Sequence, residues 1–192
     1  FPGKSRLILC GIRDKIFVPL PAEKKAGFRK ENLTQPNEVI FSFLGTVGKR
    51  KGFDLLINAF ANAIKEHPNW RLWVIGPRNK QESQNIDEAE VEEIIKPYKE
   101  MENKIHYWGR IDDRQTLATI IGASDVFVFS SRKEGMGIAP MEAMSAGVPV
   151  IISRIPGVTD QASIEGVTGR YIEVNDAVGL RNAMIELGSD PE

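Results

Sequence analysis

Runs of consecutive apolar residues alternate along this chain with segments in which apolar residues recur every three or four positions. The runs predict buried strands, and the recurring positions predict helices that bury one face. The pattern is regular after residue 38, whereas residues 1–38 predict a strand at residues 7–9, a loop and a short helix. The later strands are predicted over residues 39–44, 70–75, 104–108, 125–129, 148–152 and 169–172.

Helices are predicted between these strands. The first begins at Gly52, and the others are predicted over residues 89–101, 112–121, 139–145 and 177–187. Either Asp112 or Asp113 is expected to be the N-cap of the helix over residues 112–121. Near-continuous apolar strands that alternate with amphipathic helices are typical of a parallel sheet covered on both faces. The fold class predicted is therefore α/β, with a Rossmann-like doubly wound parallel sheet.

The composition excludes several classes of protein. The chain of 192 residues is long enough for one domain with its own core. Its 25 Lys and Arg balance 26 Asp and Glu, so it lacks the basic excess that is typical of nucleic-acid binders. The single cysteine, Cys10, excludes an internal disulfide, and His67 and His106 are too few for a histidine-based metal centre.

Neither a membrane span nor a signal peptide is recognised in the sequence, so a cytoplasmic location is the default expectation. The chain begins at Phe1 rather than at a methionine, and no element is predicted after residue 187. We therefore expect this chain to be part of a longer protein.

Two loops that follow predicted strands carry candidate chemistry, because ligands of open parallel sheets bind at the carboxyl ends of the strands. The first covers residues 45–52, where glycines allow a sharp turn and Lys49, Arg50 and Lys51 precede a helix N-terminus. That combination suits a phosphate. It is not a Walker A loop, since Lys49 is followed by Arg50 rather than by Ser or Thr. A solvated basic turn remains an equal alternative.

The second loop covers residues 130–142 and leads into a helix. Gly135 and Gly137 allow a ligand to approach the backbone closely, and Pro140 is tolerated in the first helical turn. The free N–H groups from Gly137 to Ala139, together with the helix dipole, would attract an anion. The dinucleotide-binding fingerprint fails here, because Pro140 replaces its third glycine.

Two carboxylates flank this segment, Glu134 in the loop and Glu142 about one turn into the helix. Each alone is more typical of an exposed loop residue or of a surface ion pair. Their spacing, with the glycines between them, resembles the E-x7-E signature of family 4 glycosyltransferases. These are retaining enzymes of the GT-B fold that use nucleotide-sugar donors. The resemblance extends over nearly the whole chain, through residues 11–12, 45–52, 76–77, 108–110, 123–125 and 166–169.

In the GT-B fold two Rossmann-like domains face each other across a cleft. The chain resembles the C-terminal, donor-binding half only. The resemblance therefore implies that residues 1–192 form a nucleotide-sugar binding domain, one half of a GT-B fold. The N-terminal acceptor domain would be a separate partner that this chain lacks.

The resemblance also implies a role for each candidate residue. Glu134 would lie against the hydroxyls of the donor sugar, Glu142 would accept hydrogen bonds from the ribose, and Lys51 would pair with the diphosphate. Glu134 and Lys51 are thus the catalytic candidates. The backbone that would hold the diphosphate belongs to Gly135, Gly137, Ile138 and Ala139.

Thr46 occupies a position where many family members carry an arginine that binds the diphosphate. Lys49 and Arg50 are the candidate replacements for that arginine. The loop over residues 109–113 lies where the family contacts the base. No two aspartates are spaced as D-x-D, so we expect no metal and no cofactor other than the nucleotide-sugar substrate.

The function that the resemblance implies is retaining glycosyl transfer from a nucleotide-diphosphate sugar, with this chain inactive on its own. Contact with the inner face of a membrane is left open, because acceptors in the family include lipids. Two alternatives are a nucleotide-sugar 2-epimerase, which shares the GT-B architecture, and a non-catalytic nucleotide-binding module.

Overall fold

The computed structural model describes residues 11–13, 15–159 and 165–189. Within them, six strands form one sheet in which every pairing is parallel. The strands are β1 (Val39–Leu44), β2 (Trp70–Ile75), β3 (Ile105–Gly109), β4 (Val126–Phe129), β5 (Val150–Ser153) and β6 (Gly169–Ile172). Their order across the sheet is β3-β2-β1-β4-β5-β6. The strand predicted at residues 7–9 lies outside the described residues.

Helices cover both faces of the sheet, which confirms the predicted doubly wound α/β fold. They are α1 (Ala22–Glu31), α2 (Phe53–Ala63), α3 (Glu88–Ile95), α4 (Arg114–Gly122), α5 (Ile138–Ser145) and α6 (Ala177–Ser189). Buried residues of α2, α3 and α6 pack on one face, and those of α4 and α5 pack on the other. No helix in the described parts of the chain is long and apolar enough to cross a lipid bilayer.

The central strand β1 shows why the sequence folds in this way. Successive side chains of a strand point to opposite faces. Phe41 therefore packs with Phe60 and Trp70 on one face, with its ring centroid 4.7 Å from that of Trp70. Ile40 belongs to the opposite cluster, together with Trp73. Because both faces are buried, the strand is apolar at nearly every position.

Several predicted element boundaries are wrong. The helix predicted over residues 89–101 ends at Ile95, and 3-10 turns over Lys96–Lys104 follow it. Pro97 has no N–H to continue the α-helical ladder, and Tyr98 leaves the helical region at φ −117° and ψ 19°. The strand predicted from residue 148 begins at Val150, because the N–H of Val148 still donates to the Ala143 carbonyl of α5.

The helix predicted from residue 112 begins at Arg114. Asp113 is its N-cap, and the Asp113 carboxylate accepts a hydrogen bond from the N–H of Thr116 at 2.7 Å. Of the two aspartates that the sequence offered as caps, Asp113 is therefore the one used.

Candidate functional site

The chain reverses its direction of travel across the sheet between β1 and β4, which are hydrogen-bonded neighbours. Such a switch point leaves a crevice at the carboxyl ends of the two strands. The loops that follow β1 and β4 lie against each other there. The N–H of Arg132 donates to the Arg50 carbonyl at 3.0 Å, and the Ser130 hydroxyl donates to the Gly52 carbonyl at 2.9 Å.

Gly52 makes this close approach feasible. Its φ is +69°, in the left-handed region where a residue without a side chain is favoured. A Cβ at this position would lie 1.9 Å from the Ser130 carbonyl oxygen, which is far inside van der Waals contact. The glycine at the end of the first loop is therefore what allows the backbone of the second loop to dock on it.

Lys51 and Glu134, the two catalytic candidates, are brought into direct contact. The Lys51 Nζ lies 2.5 Å from the Glu134 Oε1, and the Ser131 hydroxyl donates to the same oxygen at 2.7 Å. The two side chains are only 19% and 11% exposed. The aliphatic stem of Lys51 passes over Gly45, where a Cβ would lie 3.2 Å from the Lys51 Cγ.

Arg132 holds the turn that carries Lys51 in place by hydrogen bonds. Its guanidinium forms a two-pronged pair with Asp54 in the first turn of α2, at 2.6 and 2.8 Å, and also donates to the Lys49 carbonyl. It reaches the side chain of Asn175 as well, at 2.6 Å. The hydrogen bond to the Asp54 carboxylate raises the pKa of Arg132. The positions on either side of Lys51 are thus held by a residue of the other loop.

The N-terminus of α5 opens at the same edge of the sheet. Its N-cap, Gly137, has left-handed angles of φ 57° and ψ 43° and supplies no side-chain hydrogen bond. The first N–H groups of a helix have no acceptor within the helix. Pro140 contributes none, so the donors of this turn are the N–H groups of Ile138 and Ala139. The positive end of the helix dipole adds to their attraction for an anion.

Glu142 lies in the second turn of α5 and is 4% exposed. Arg114, the first residue of α4, donates a hydrogen bond to its Oε1. Burial raises the pKa of Glu142, and the charges of Arg114 and Arg13 act in the opposite direction. Glu142 is therefore in an ion pair, one of the alternatives that the sequence offered, but the carboxylate of that pair is buried rather than at the surface.

The remaining candidates lie around this centre without joining it. Thr46 is half-buried in the loop after β1, and Gly135 is exposed, with open space at its Cβ position. Lys49 forms an exposed ion pair with Glu93 of α3, at 3.2 Å. Its ammonium group is therefore engaged with α3 rather than with Glu134, whereas Arg50 is exposed to solvent.

The loop over residues 109–113 lies at the end of β3, beside the glycine turn that follows β2. The Gly76 N–H donates to the Gly109 carbonyl at 2.8 Å, which joins the two turns. Within the loop, Arg110 pairs with Asp112 at 2.8 Å, and both side chains are exposed. This loop is thus available to a ligand at the same edge of the sheet.

Sequence reasoning missed three side chains of this site, Ser131, Arg132 and Arg114. Each acts through a partner: Ser131 through Glu134, Arg132 through Asp54 and Arg114 through Glu142. The position of Ser131 and Arg132 just after a buried strand was a usable signal. No local signal marked Arg114, because it is 28 residues from Glu142 in the sequence.

In the described parts of the chain, no group of three or more His, Cys, Asp and Glu side chains is arranged so that it could hold a metal ion. Two cavities open at the opposite, amino edge of the sheet, one beside Arg71 and His106 and the other beside Gly147 and Arg170. The site around Lys51 is a surface that faces away from both.

Known proteins resemble the chain over most of its length. A bacterial GDP-mannose-dependent monoacylated α-(1-6)-phosphatidylinositol monomannoside mannosyltransferase of Corynebacterium glutamicum is 27% identical over 94% of this chain, which spans 46% of that protein. The structure of sucrose-phosphate synthase from Thermosynechococcus elongatus superposes with a TM-score of 0.81, at 30% identity, over 97% of this chain and 44% of that one.

The structure of Anabaena Alr3699/HepE in complex with UDP and glucose superposes with a TM-score of 0.78, over 94% of this chain and 46% of that one. Its identity is 20%, so this likeness concerns the fold. Residues 24–192 match the family described as glycosyl transferases group 1. The resemblance to the donor half of a GT-B glycosyltransferase is thereby confirmed at the level of fold and family: the chain is a Rossmann-like half of a GT-B fold and belongs to the glycosyl transferases group 1 family.

Proposed function

We propose that this chain is the donor-binding domain of a retaining glycosyltransferase of family 4, which transfers a sugar from a nucleoside diphosphate to an acceptor. The observation that carries the proposal is the contact of Lys51 with Glu134 beside the uncapped N-terminus of α5. The chain spans less than half of the mannosyltransferase and the synthase that it resembles. That share supports a complete protein in which a second, N-terminal domain supplies the acceptor side of a cleft.

The diphosphate is assigned to Lys51 and to the N–H groups of Ile138 and Ala139, with the backbone of Gly135 and Gly137 beside them. As the glycosidic bond breaks, negative charge builds up on the leaving diphosphate. Hydrogen-bond donors already aimed at that charge stabilise the transition state, typically by about 3 kcal/mol each. No metal ion is needed for this role, because an ammonium group and a helix N-terminus supply the positive charge.

The donor sugar is assigned to Glu134. In the ligand-free site one oxygen of this carboxylate accepts hydrogen bonds from both Lys51 and Ser131. A diphosphate that takes over the ammonium of Lys51 would release Glu134 towards the sugar hydroxyls. A carboxylate in that place suits the positive, oxocarbenium-like character of the sugar in the transition state.

The ribose is assigned to Glu142, and the base to the loop over residues 109–113. The dependence of the similar mannosyltransferase on GDP-mannose supports a nucleotide sugar as the donor. The family match favours transfer over the 2-epimerase alternative. The cytoplasmic location stays a prediction, and contact with a membrane stays an open alternative.

Calorimetric titration of the chain with GDP, UDP and ADP, with and without magnesium, tests the donor site. We expect one nucleotide to bind selectively and with the same affinity in the presence and absence of magnesium. Lys51→Ala should weaken that binding roughly 10- to 100-fold, the value of a charged hydrogen bond. Lys99→Ala is the matched control, because Lys99 also loses an ion pair, with Glu92, but at the exposed surface.

Binding of none of the three nucleotides to the folded chain would contradict the proposal. Equal effects of the Lys51 and Lys99 substitutions would show that general charge, and not the site, attracts the nucleotide. A requirement for magnesium would overturn only the metal-independent part.

A further inference from the structure

The contact between Arg114 and Glu142 leaves the carboxylate with two unlike oxygens. Arg114 Nη2 donates to Oε1. No hydrogen bond of the described residues reaches Oε2 of Glu142. One oxygen is therefore engaged within the protein, and the other remains an acceptor.

Arg114 is held firmly enough to orient its partner. It begins α4 directly after the N-cap Asp113, whose carboxylate accepts from the N–H and the hydroxyl of Thr116 at 2.7 and 2.6 Å. Its guanidinium lies 4.9 Å from the ring centroid of Phe17. Phe17 is fully buried, and its carbonyl accepts from the hydroxyl of Ser145, the last residue of α5. Arg114 thus bridges the start of α4 and a segment that is tied to the helix of Glu142.

The two partners differ in their access to water. The side chain of Glu142 is 6% exposed, whereas that of Arg114 is 36% exposed. Burial raises the pKa of Glu142, and the charged groups that oppose the shift are Arg114 from α4 and Arg13 from the segment before Phe17. Loss of Arg114 would leave a buried carboxylate without its hydrogen-bonded partner, which disfavours the ionised form.

We infer that Arg114 is a positioning residue, which holds Glu142 by Oε1 and leaves Oε2 to accept hydrogen bonds from the vicinal hydroxyls of a ribose. This inference rests on the proposed function, in which Glu142 binds the ribose of the donor. Arg114 does not touch the ligand. Its effect is to decide whether Glu142 can distinguish a ribose from a sugar that lacks one hydroxyl.

The test compares the affinities of the chain for a nucleoside diphosphate and for its 2′-deoxy counterpart, both measured by calorimetry. We expect the wild-type chain to prefer the ribonucleotide roughly tenfold, as one hydrogen bond to a charged acceptor is worth about that ratio. Arg114→Ala should reduce the preference to about twofold or less, whereas a merely structural loss would weaken both ligands alike.

Two further variants make the test decisive. Arg114→Gln keeps much of the aliphatic stem over Phe17 but removes the charge. It replaces Arg114→Ala in the test if the alanine variant is unfolded at the temperature of the measurement. We expect its preference to be about threefold or less, since only a neutral donor with shorter reach remains. Arg181→Ala is the matched control, because Arg181 pairs with Glu66 on the surface, and it should keep the wild-type preference.

Each outcome separates this inference from the proposed function. A folded Arg114 variant that keeps the full preference for the ribonucleotide would overturn the positioning role while the donor site stands. A wild-type chain that binds both forms equally would do the same. If the wild-type chain binds neither form of any nucleotide, the proposed function fails, and the role of Arg114 fails with it.

Discussion

The two carboxylates of the candidate site are held in different ways. Glu134 lies on a loop. Its nearest partner in space, Lys51, lies on another loop that is 83 residues away in the sequence. Glu142 lies inside α5, buried to 4% exposure, with one arginine at its side. The position of Glu134 therefore depends on how two loops dock, whereas that of Glu142 depends on the packing of a helix on the sheet.

This difference matches the tasks assigned to the two residues. Glu134 shares one oxygen between an ammonium and a hydroxyl, so a ligand that competes for Lys51 can release it. Arg114, the partner of Glu142, lies over the ring of Phe17 and has no assigned ligand contact, so we expect the pair to persist when a ligand binds. The first arrangement suits a group that acts during the reaction, and the second suits a fixed recognition point.

Gly52→Ala should disrupt the docking of the two loops on which the position of Glu134 depends. A left-handed residue with a Cβ costs about 1–2 kcal/mol, and the overlap with the Ser130 carbonyl adds about 1–3 kcal/mol. We expect the free energy of unfolding to fall by roughly 2–5 kcal/mol, with loss of nucleotide binding in any folded fraction. Denaturant unfolding followed by circular dichroism measures the change.

Gly27→Ala is the control for that substitution. Gly27 is exposed in the middle of α1, with nothing within 4 Å of its Cβ position. Alanine there should stabilise the helix by about 0.5–1 kcal/mol. A similar small gain at Gly52 would show that the two loops do not need this close approach.

Substitution of each carboxylate by glutamine in the complete protein separates their roles kinetically. Glu134→Gln should lower kcat roughly 100-fold or more and change KM little, because its charge matters mainly in the transition state. Glu142→Gln should raise KM for the donor about tenfold and leave kcat within a few-fold, since it binds ground state and transition state alike.

Steady-state kinetics with Glu92→Gln as an exposed control distinguish these effects from a general loss of charge. Equal losses of kcat in both variants would show that Glu134 and Glu142 do not have the separate catalytic and binding roles assigned to them. No change with Glu134→Gln would show that Glu134 has no catalytic role, whereas no transfer by the complete wild-type protein would favour the non-catalytic nucleotide-binding module.

The sequence predicted the fold well because its signals are local. The bounds of β1, β2 and β6 match the predicted strands, since a buried parallel strand is apolar throughout. The errors arise where two local signals conflict. Pro97 lies within an otherwise helical pattern, and Val148 is a β-branched residue that the last turn of α5 retains by a hydrogen bond.

The site was predicted only in part, for the same reason. Lys51 and Glu134 are charged residues in glycine-containing loops after strands, which is a signal that a sequence carries. Their pairing, and the help that Ser131 and Arg132 give, depends on loops that meet only in the folded chain. The burial of Glu142 is likewise a property of helix packing, so the sequence could offer a surface ion pair as the alternative to a ribose ligand but could not show that the carboxylate is buried.

A pH series tests whether ionised Glu142 is the group that recognises the ribose. Because burial raises its pKa, Glu142 takes up a proton at a higher pH in the folded chain than an exposed glutamate does. Folding thus favours the protonated form, so ionised Glu142 opposes stability at neutral pH, and Glu142→Gln should not lower the melting temperature there. Recognition of the ribose needs the ionised form. The protonation state that binds the ribose is therefore the state that lowers the stability of the fold.

As the pH falls from about 8 into the acidic range, we therefore expect the preference for a ribonucleotide over its 2′-deoxy form to decline from roughly tenfold, and to do so at a higher pH than an exposed glutamate would impose. The ratio of the two affinities is the quantity to follow, because protonation of the diphosphate affects both ligands equally. Glu142→Gln should give a low ratio that does not change with pH. A wild-type ratio that stays constant over this range would mean that Glu142 does not read the ribose, and that its burial serves only the packing of α5.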